Sequence, residues 1–268
     1  QSITTLQQQT VKPFEIIIVN NASTDDTAIM VKKNFPQIRL INLSSNTGVT
    51  GGRNKGLEVS KGDYVLFFDH DMDAEPDMLE EILQVAESDD SIGIVTPKIY
   101  FWDDKQIIWS AGTDINLWTG QVLFHGGKDH GQFSSDKEVA IAPAVLLVKR
   151  EVLDKIGGFD DIYFATYEDT DFCFKAKKAG YITYYAAKAQ AYHRIPYDDT
   201  LAMKRLLDRT YWVARNRIIF MKRFGKSFPV FLCFLPAYGL YYILLAVKFH
   251  KINAIKNYIT GTFAGFSI

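Results

Sequence analysis

An α/β fold, with a mostly parallel sheet covered by helices on both faces, is predicted by three observations. Apolar runs at 14–19, 38–43, 64–68 and 92–96 lack in/out alternation, as strands buried on both faces do. Amphipathic stretches at 25–35, 51–60 and 76–87 separate them, as crossovers between parallel strands require. Polar clusters, Asn20-Asn21 and Asp69-His70-Asp71, stand where two of the runs end, and ligands of such sheets bind beyond the carboxyl ends of the strands.

In chain order, residues 2–10 read as the end of a polar helix and 14–19 as the first visible strand. Ser23 and Thr24 are N-cap candidates for the helix over 25–35. The strand over 38–43 is followed by a glycine-bearing helix at 51–60, then by the strand at 64–68. Pro76 stands near the start of a helix running to residue 87, where its missing N–H costs nothing. The segment 99–136 has no period and reads as loops and short strands that shape an acceptor or lid region. A strand over 139–149 leads into a short helix at 151–156 stopped by Gly157-Gly158. A helix over 169–179 ends at Gly180, and short strands reach Tyr192.

Beyond His193 the character changes. Residues 199–224 read as one basic, aromatic helix, and 227–247 follow without a charge. That length suits a bilayer span, although Pro229, Pro236 and Gly239 interrupt it and leave a surface-lying helix pair open. The expectation is a membrane-attached segment of open topology.

The 268 residues are 47% hydrophobic and 23% charged, which implies a folded core and excludes general disorder. The net charge of −1 gives no support for a nucleic-acid binder held by a basic surface. Cys173 and Cys233, far apart in apolar settings, read as buried free thiols rather than as a disulfide or a zinc site.

Three constellations carry chemistry. Asp69 and Asp71 end a buried strand and flank one residue, so both carboxylates can face one crevice and hold Mg²⁺ or Mn²⁺ beside phosphate oxygens. Alone the pattern is weak, because solvated turns carry it too. Asn46-Thr47-Gly48 and Gly51-Gly52-Arg53-Asn54 precede or open a helix, where backbone approaches a ligand and an arginine pairs with phosphate. A glycine loop with a helix cap would look the same. Glu168, Asp169 and Asp171 crowd one helix start, more acid than capping needs, and one of them suits a general base toward an acceptor hydroxyl. His193, after a strand-like run, is a candidate third metal ligand, against the commoner structural hydrogen-bonder.

EIIIVNNASTDDT, NTGVTGGRNKGL, YVLFFDHDM and PAVLLVKREVLDKIGGFDDIYFATYEDTDFCFKAKKAGY, in that order, resemble the motifs of family-2 glycosyltransferases, inverting enzymes with the GT-A fold. RNRIIFMKRF with the apolar tail resembles members that act on lipid-linked saccharides, including rhamnosyltransferase-like ones. The resemblance implies a divalent metal on Asp69, Asp71 and His193, and a base at Asp169 with Glu168 orienting the acceptor. It implies nucleotide-sugar contacts at Asn20, Asn21, Ser23, Asp25, Asn46, Gly48, Arg53 and Asp69. It further implies a GT-A domain over 1–198 and membrane-associated helices over 199–268, at the cytoplasmic face of the cell membrane. The partners implied are a nucleotide-sugar donor and a glycan or lipid-linked acceptor, in cell-surface glycan synthesis. Two departures stand out. Family members begin with an apolar strand and turn before the helix that residues 2–9 resemble, and the strand-end Asp of the family is Asn20 here, with Asp26 in place of a glycine. The competing readings are a nucleotidyltransferase, whose Gly-rich, Lys/Arg-bearing loop after the first strand is not found here, and a non-catalytic nucleotide-sugar binder at the membrane.

Overall fold

The computed structural model describes residues 1–268 and divides them into two compact units, Gln1–Thr113 with Phe124–Ile195, and Asp114–Leu123 with Pro196–Ile268. The first unit opens with α1 (Ser2–Gln7), β1 (Ile17–Asn20), α2 (Thr27–Asn34), β2 (Arg39–Asn42) and α3 (Gly48–Leu57). β3 (Tyr64–Phe68), β4 (Met72–Ala74), α4 (Met78–Glu87), β5 (Ile92–Phe101) and β6 (Ile107–Ser110) follow. β7 (Thr113–Asn116) and β8 (Gln121–Phe124) form a hairpin whose residues 114–123 belong to the second unit, and the first unit resumes with β9 (Gly127–Lys128), β10 (Lys137–Val139) and β11 (Val145–Lys149). α5 (Arg150–Ile156), α6 (Glu168–Lys178) and β12 (Ile182–His193) complete the unit.

β1 and β2 pair in parallel as a sheet of their own. The larger sheet runs β10-β12-β5-β11-β3. Within it β12 and β5 are parallel, and β11 is antiparallel to both β5 and β3, so β3, β5 and β12 share one direction. Both faces are covered. Val145 and Leu147 of β11 pack in one apolar cluster with Met78, Leu79 and Ile82 of α4, while Leu146 and Val148 pack in another with Val152, Phe172 and Cys173. All four β11 side chains are buried, which is why the strand sequence shows no alternation.

The strand expected over 139–149 is two strands. Pro143 offers no N–H and Ala144 takes φ +62°, so the chain turns between β10 and β11 and each pairs elsewhere. The expected strand at 92–96 runs on to Phe101 because β12 pairs along its whole length. Neither Ser23 nor Thr24 caps α2: its N-cap is Asp26, without a side-chain cap bond, and Asp25 before it accepts at Oδ1 from the Thr27 amide and hydroxyl.

The second unit contains α7 (Asp199–Asp208), α8 (Thr210–Phe224), α9 (Phe228–Leu232), α10 (Leu235–Lys248) and α11 (Asn253–Phe266). The basic helix expected over 199–224 is thus α7 and α8, which break at Arg209. Asp198 caps α7 by accepting from the Leu201 amide. Cys173 is buried as expected, but Cys233 is exposed, because it lies at the joint between α9 and α10 and faces outward.

Candidate active site

Three chain segments meet at one arginine. Asp69 ends β3, where its amide donates to Ala144 O of the β10–β11 turn. Asp169 lies in the first turn of α6. Arg53, midway along α3, donates Nη2 to Asp69 Oδ1 at 2.9 Å and Nη1 to Asp169 Oδ1. Its guanidinium lies 5.0 Å over the Phe159 ring, which stacks on Phe172 and meets Phe67 edge-on. This aromatic floor fixes the planar fork so that it can serve two carboxylates.

The loop before α6 is tied to α3 at several points. Thr50 Oγ1 donates to Tyr163 O at 2.6 Å, the Val49 amide to Phe164 O at 2.8 Å, and Asn54 exchanges bonds with the Phe159 backbone. Thr166 and Tyr167, with φ of +65° and +67°, turn the chain through left-handed conformations directly into Glu168 and Asp169. Such geometry in non-glycine residues costs about 1–3 kcal/mol each and concentrates at functional sites. Gly48 permits the close approach: it has φ +74°, and a Cβ there would stand 2.3 Å from Phe164 O. Gly48→Ala is expected to destabilise the fold by about 2–4 kcal/mol, read as a lowered urea midpoint, through left-handed strain and that backbone clash.

Glu168 is buried and its Oε2 makes no hydrogen bond. Burial, with the charge of Asp169 beside it, pushes the Glu168 carboxyl up to about 7, against the pull of Arg53. Burial raises Asp169 as well, opposed by Arg53. Burial disfavours the Arg53 charge, but Asp169, then Asp69 and Glu168, outweigh it and hold the guanidinium above its ordinary value. The raised Glu168 has a sign. Between about 4.5 and about 7 the folded state holds a proton that the unfolded state has lost, so this group's contribution to stability falls as pH rises through that window. Glu168→Gln is expected to remove that fall, so that the variant gains on the wild type between pH 5 and pH 8 in urea denaturation.

The metal candidates stand in two pairs. β4 and β12 are antiparallel with His193 opposite Met72, which brings His193 Nε2 to 3.2 Å from Asp71 Oδ2. That hydrogen bond holds the Asp71 carboxyl below its ordinary value despite partial burial. The Arg194 amide donates to Asp71 O at 2.7 Å and fixes the turn. Asp69 faces Arg53 while Asp71 faces His193, and no group of three acidic, His or Cys side chains is gathered as a metal cage. The donor chemistry nevertheless fits a hard divalent cation: two carboxylates, each more than a third exposed, and an imidazole directed to the same turn. Trp109 packs edge-on against the His193 ring at 4.5 Å and limits its orientation. It lies in the stretch without period, so no sequence signal marked it, nor the Phe159 floor.

Of the residues expected to contact a nucleotide, Asn20 and Asn21 are both engaged within the protein. Asn20 Nδ2 donates to Asn42 Oδ1 across the β1–β2 pair, and its Oδ1 accepts from the Ser23 amide. Asn21 grips the start of α3, donating to Gly48 O and accepting from Thr47. Asn46 Oδ1 accepts from the Gly48 amide, and Ser23, Asp25 and Asn46 are exposed. These residues shape the loops after β1 and β2, while Arg53 is turned to the carboxylates.

The model of the family described as glycosyl transferase family 2 matches residues 1–157, more than half the chain. The chain belongs to this family. Similar proteins include the uncharacterized glycosyltransferase YibD of Escherichia coli (strain K12), 40% identical over 31% of this chain and 24% of that one. An N-acetylglucosaminyl-diphospho-decaprenol L-rhamnosyltransferase of Mycobacterium tuberculosis (strain ATCC 25618 / H37Rv) is 23% identical over 71% of this chain and 70% of that one. Among solved structures, GalNAc-T7 with UDP, GalNAc and Mn²⁺ aligns at a TM-score of 0.60 and 12% identity, covering 81% of this chain and 47% of that one. This family-2 chain has the GT-A fold, as its motifs implied. It spans 21%, 24% and 30% of the length of three of the curated relatives it matches.

Proposed function

We propose that the chain transfers a sugar from a nucleotide-sugar donor to a saccharide or lipid-linked acceptor, with inversion and with a divalent metal. The observation that carries this reading is the single guanidinium shared by Asp69, at the end of β3, and Asp169, at the start of α6. It joins a candidate donor-phosphate corner to a half-buried carboxylate suited to a base. Asp169 takes the proton of the acceptor hydroxyl as its oxygen attacks the anomeric carbon opposite the leaving nucleoside diphosphate. Glu168 orients the acceptor, and Asn20, Asn21, Ser23, Asp25, Asn46, Gly48 and Arg53 border the nucleotide. Asp69, Asp71 and His193 would hold Mg²⁺ or Mn²⁺, which when bound neutralises charge on the leaving diphosphate.

The Mn²⁺ and UDP of GalNAc-T7 and the polyprenyl-linked substrate in the rhamnosyltransferase's name support the metal, donor and acceptor classes. We place the transferase in residues 1–198 and membrane-associated helices in 199–268, working at the cytoplasmic face of the membrane in cell-surface glycan synthesis. The test is nucleotide release from a panel of UDP-, GDP- and dTDP-sugars with membrane lipid extract as acceptor. One donor should turn over, and EDTA should stop it until Mn²⁺ or Mg²⁺ is restored. Asp71→Ala should raise the metal concentration for half activity about 10-fold or more. Nucleotide binding without turnover under every condition would replace the transferase by a sugar-nucleotide binder.

A further inference from the structure

Residues Phe228–Lys248 form an apolar stretch of 21 residues with mean hydropathy 2.1 and only 17% of its most apolar window buried, which by length alone reads as a bilayer span. The packing of the second unit argues otherwise. α10 does not stand alone: its Tyr242 and Ala246 cluster with Val213 and Ala214 of α8, and Arg217 of α8 lies 4.0 Å over the Tyr238 ring. α11 is pressed against α8 as well. A Cβ at Gly261 would fall 2.2 Å from Tyr211 O, and one at Gly265 would fall 2.6 Å from Arg215 O. Both ends of the bundle are tied. Lys251 Nζ meets Asp208 Oδ1 at 2.7 Å, and Lys222 Nζ donates to Phe266 O at 2.9 Å. If α10 crossed a bilayer, α8 would cross beside it and carry Arg215, Asn216 and Arg217 to the level of the lipid tails. Each arginine there costs about 2.5–3.5 kcal/mol or more.

The outward faces are apolar nonetheless. Leu240, Leu244 and Val247 of α10 are 58%, 60% and 55% exposed, and Ile259 and Phe263 of α11 are 48% and 68% exposed. Each set follows helical spacing, so each helix presents one apolar stripe. Residues 227–268 contain Lys248, Lys251 and Lys256 and no Asp or Glu; Lys251 is paired with Asp208, which leaves the exposed Lys248 and Lys256 as the cations beside the stripes. Trp118, at the turn of the β7–β8 hairpin, is 46% exposed and lies 5.7 Å below the Lys226 ammonium, a pairing suited to a headgroup layer.

We propose that the second unit is monotopic, with α10 and α11 lying along an anionic lipid surface and their apolar stripes set into it, without crossing. The inference rests on the membrane partner of the proposed function and deepens it. The apolar stripes take the acyl boundary, the exposed Lys248 and Lys256 take anionic headgroups, and Arg217 stays buried in the bundle with Arg215 half-buried beside it, out of the lipid.

The test uses the full chain on sealed phosphatidylcholine vesicles with or without phosphatidylglycerol. Flotation should occur with the anionic vesicles, fall about 10-fold in Leu244→Glu with Phe263→Glu, and be reversed by alkaline carbonate. Circular dichroism of that variant must match the wild type, which the exposure of both positions leads us to expect. Topology is read in Cys233→Ser chains carrying Lys226→Cys or Lys248→Cys, with an impermeant maleimide outside the vesicles. Both positions should react. Reaction of one alone, or resistance to carbonate, overturns the proposal in favour of a span. Failure to float on either vesicle overturns the lipid as occupant and leaves a protein partner on this face. Donor turnover is not read here, so loss of the transferase reading would show only in nucleotide release.

Discussion

Asp169→Asn lowers sugar transfer by about 10²–10⁴-fold and leaves nucleotide binding within a few-fold of the wild type. The substitution keeps the size of the side chain and an oxygen that can accept from Arg53 Nη1, so the arrangement of α3 against α6 survives. What it removes is the capacity to take a proton. Asp69 and Asp71 lie in the turn between β3 and β4, outside α6, so the carboxylates proposed to hold the metal at the donor keep their charge. The measurement is kcat for nucleotide release with acceptor, beside a titration of nucleotide without it. Equal turnover in Asp169→Asn would reassign the base, and Glu168, whose carboxyl is pushed up to about 7, would be the next group to replace.

Arg53→Met unfolds more easily, by about 3–5 kcal/mol at neutral pH. Arg53 has a side chain only 9% exposed and is hydrogen-bonded to two carboxylates, one of them, Asp169, 17% exposed. Methionine fills the space over Phe159 but leaves Asp169 beside Glu168 with no cation, a far larger loss than an exposed ion pair would give. Its pH dependence has a definite direction. Without the cation the folded-state value of Asp169 rises further, and a raised carboxyl destabilises above its unfolded value. The deficit of Arg53→Met therefore shrinks as pH falls toward 4, because the folded state takes up its protons first, and the pH dependence ends only below the unfolded values, where the acids are protonated in both states. Arg53→Lys restores charge but not the fork, so it recovers part of the stability and cannot serve both Asp69 and Asp169. Urea midpoints at pH 7.5 and pH 4.5 read all three chains, and a deficit independent of pH would mean that packing over Phe159, not charge, is what Arg53 supplies.

How much of this was legible beforehand differs from element to element. β3 was visible because an apolar run without alternation marks a buried strand, and Asp69 and Asp71 at its end, weak as a pair, gained weight from the other motifs in order. Glu168 and Asp169 were visible because three acids at one helix start exceed what a helix dipole asks for. Trp109 was not, since a single aromatic in a stretch without period has no partner in the sequence. The split of 139–149 into two strands depended on Pro143 and Ala144 being answered by different neighbours, which local pattern does not encode. Cys233 was misplaced because a cysteine in an apolar run looks buried whether the run faces a core or faces outward.

By itself the sequence determined the α/β class, the strand ends that carry the acids, and the family to which the chain belongs, because buried strands and helix starts leave periodic and local marks. Tertiary structure alone decided which acids meet. Arg53, Asp69 and Asp169 come from α3, the end of β3 and α6, and His193 reaches Asp71 only because β4 and β12 pair. It also decided that the apolar run of α9 and α10 lies against a helix bearing Arg215 and Arg217, a neighbour that hydropathy along one segment does not register. The physical reason is common to both: charge pairing and helix packing act across space between residues far apart in the chain, while propensity and hydropathy act along it.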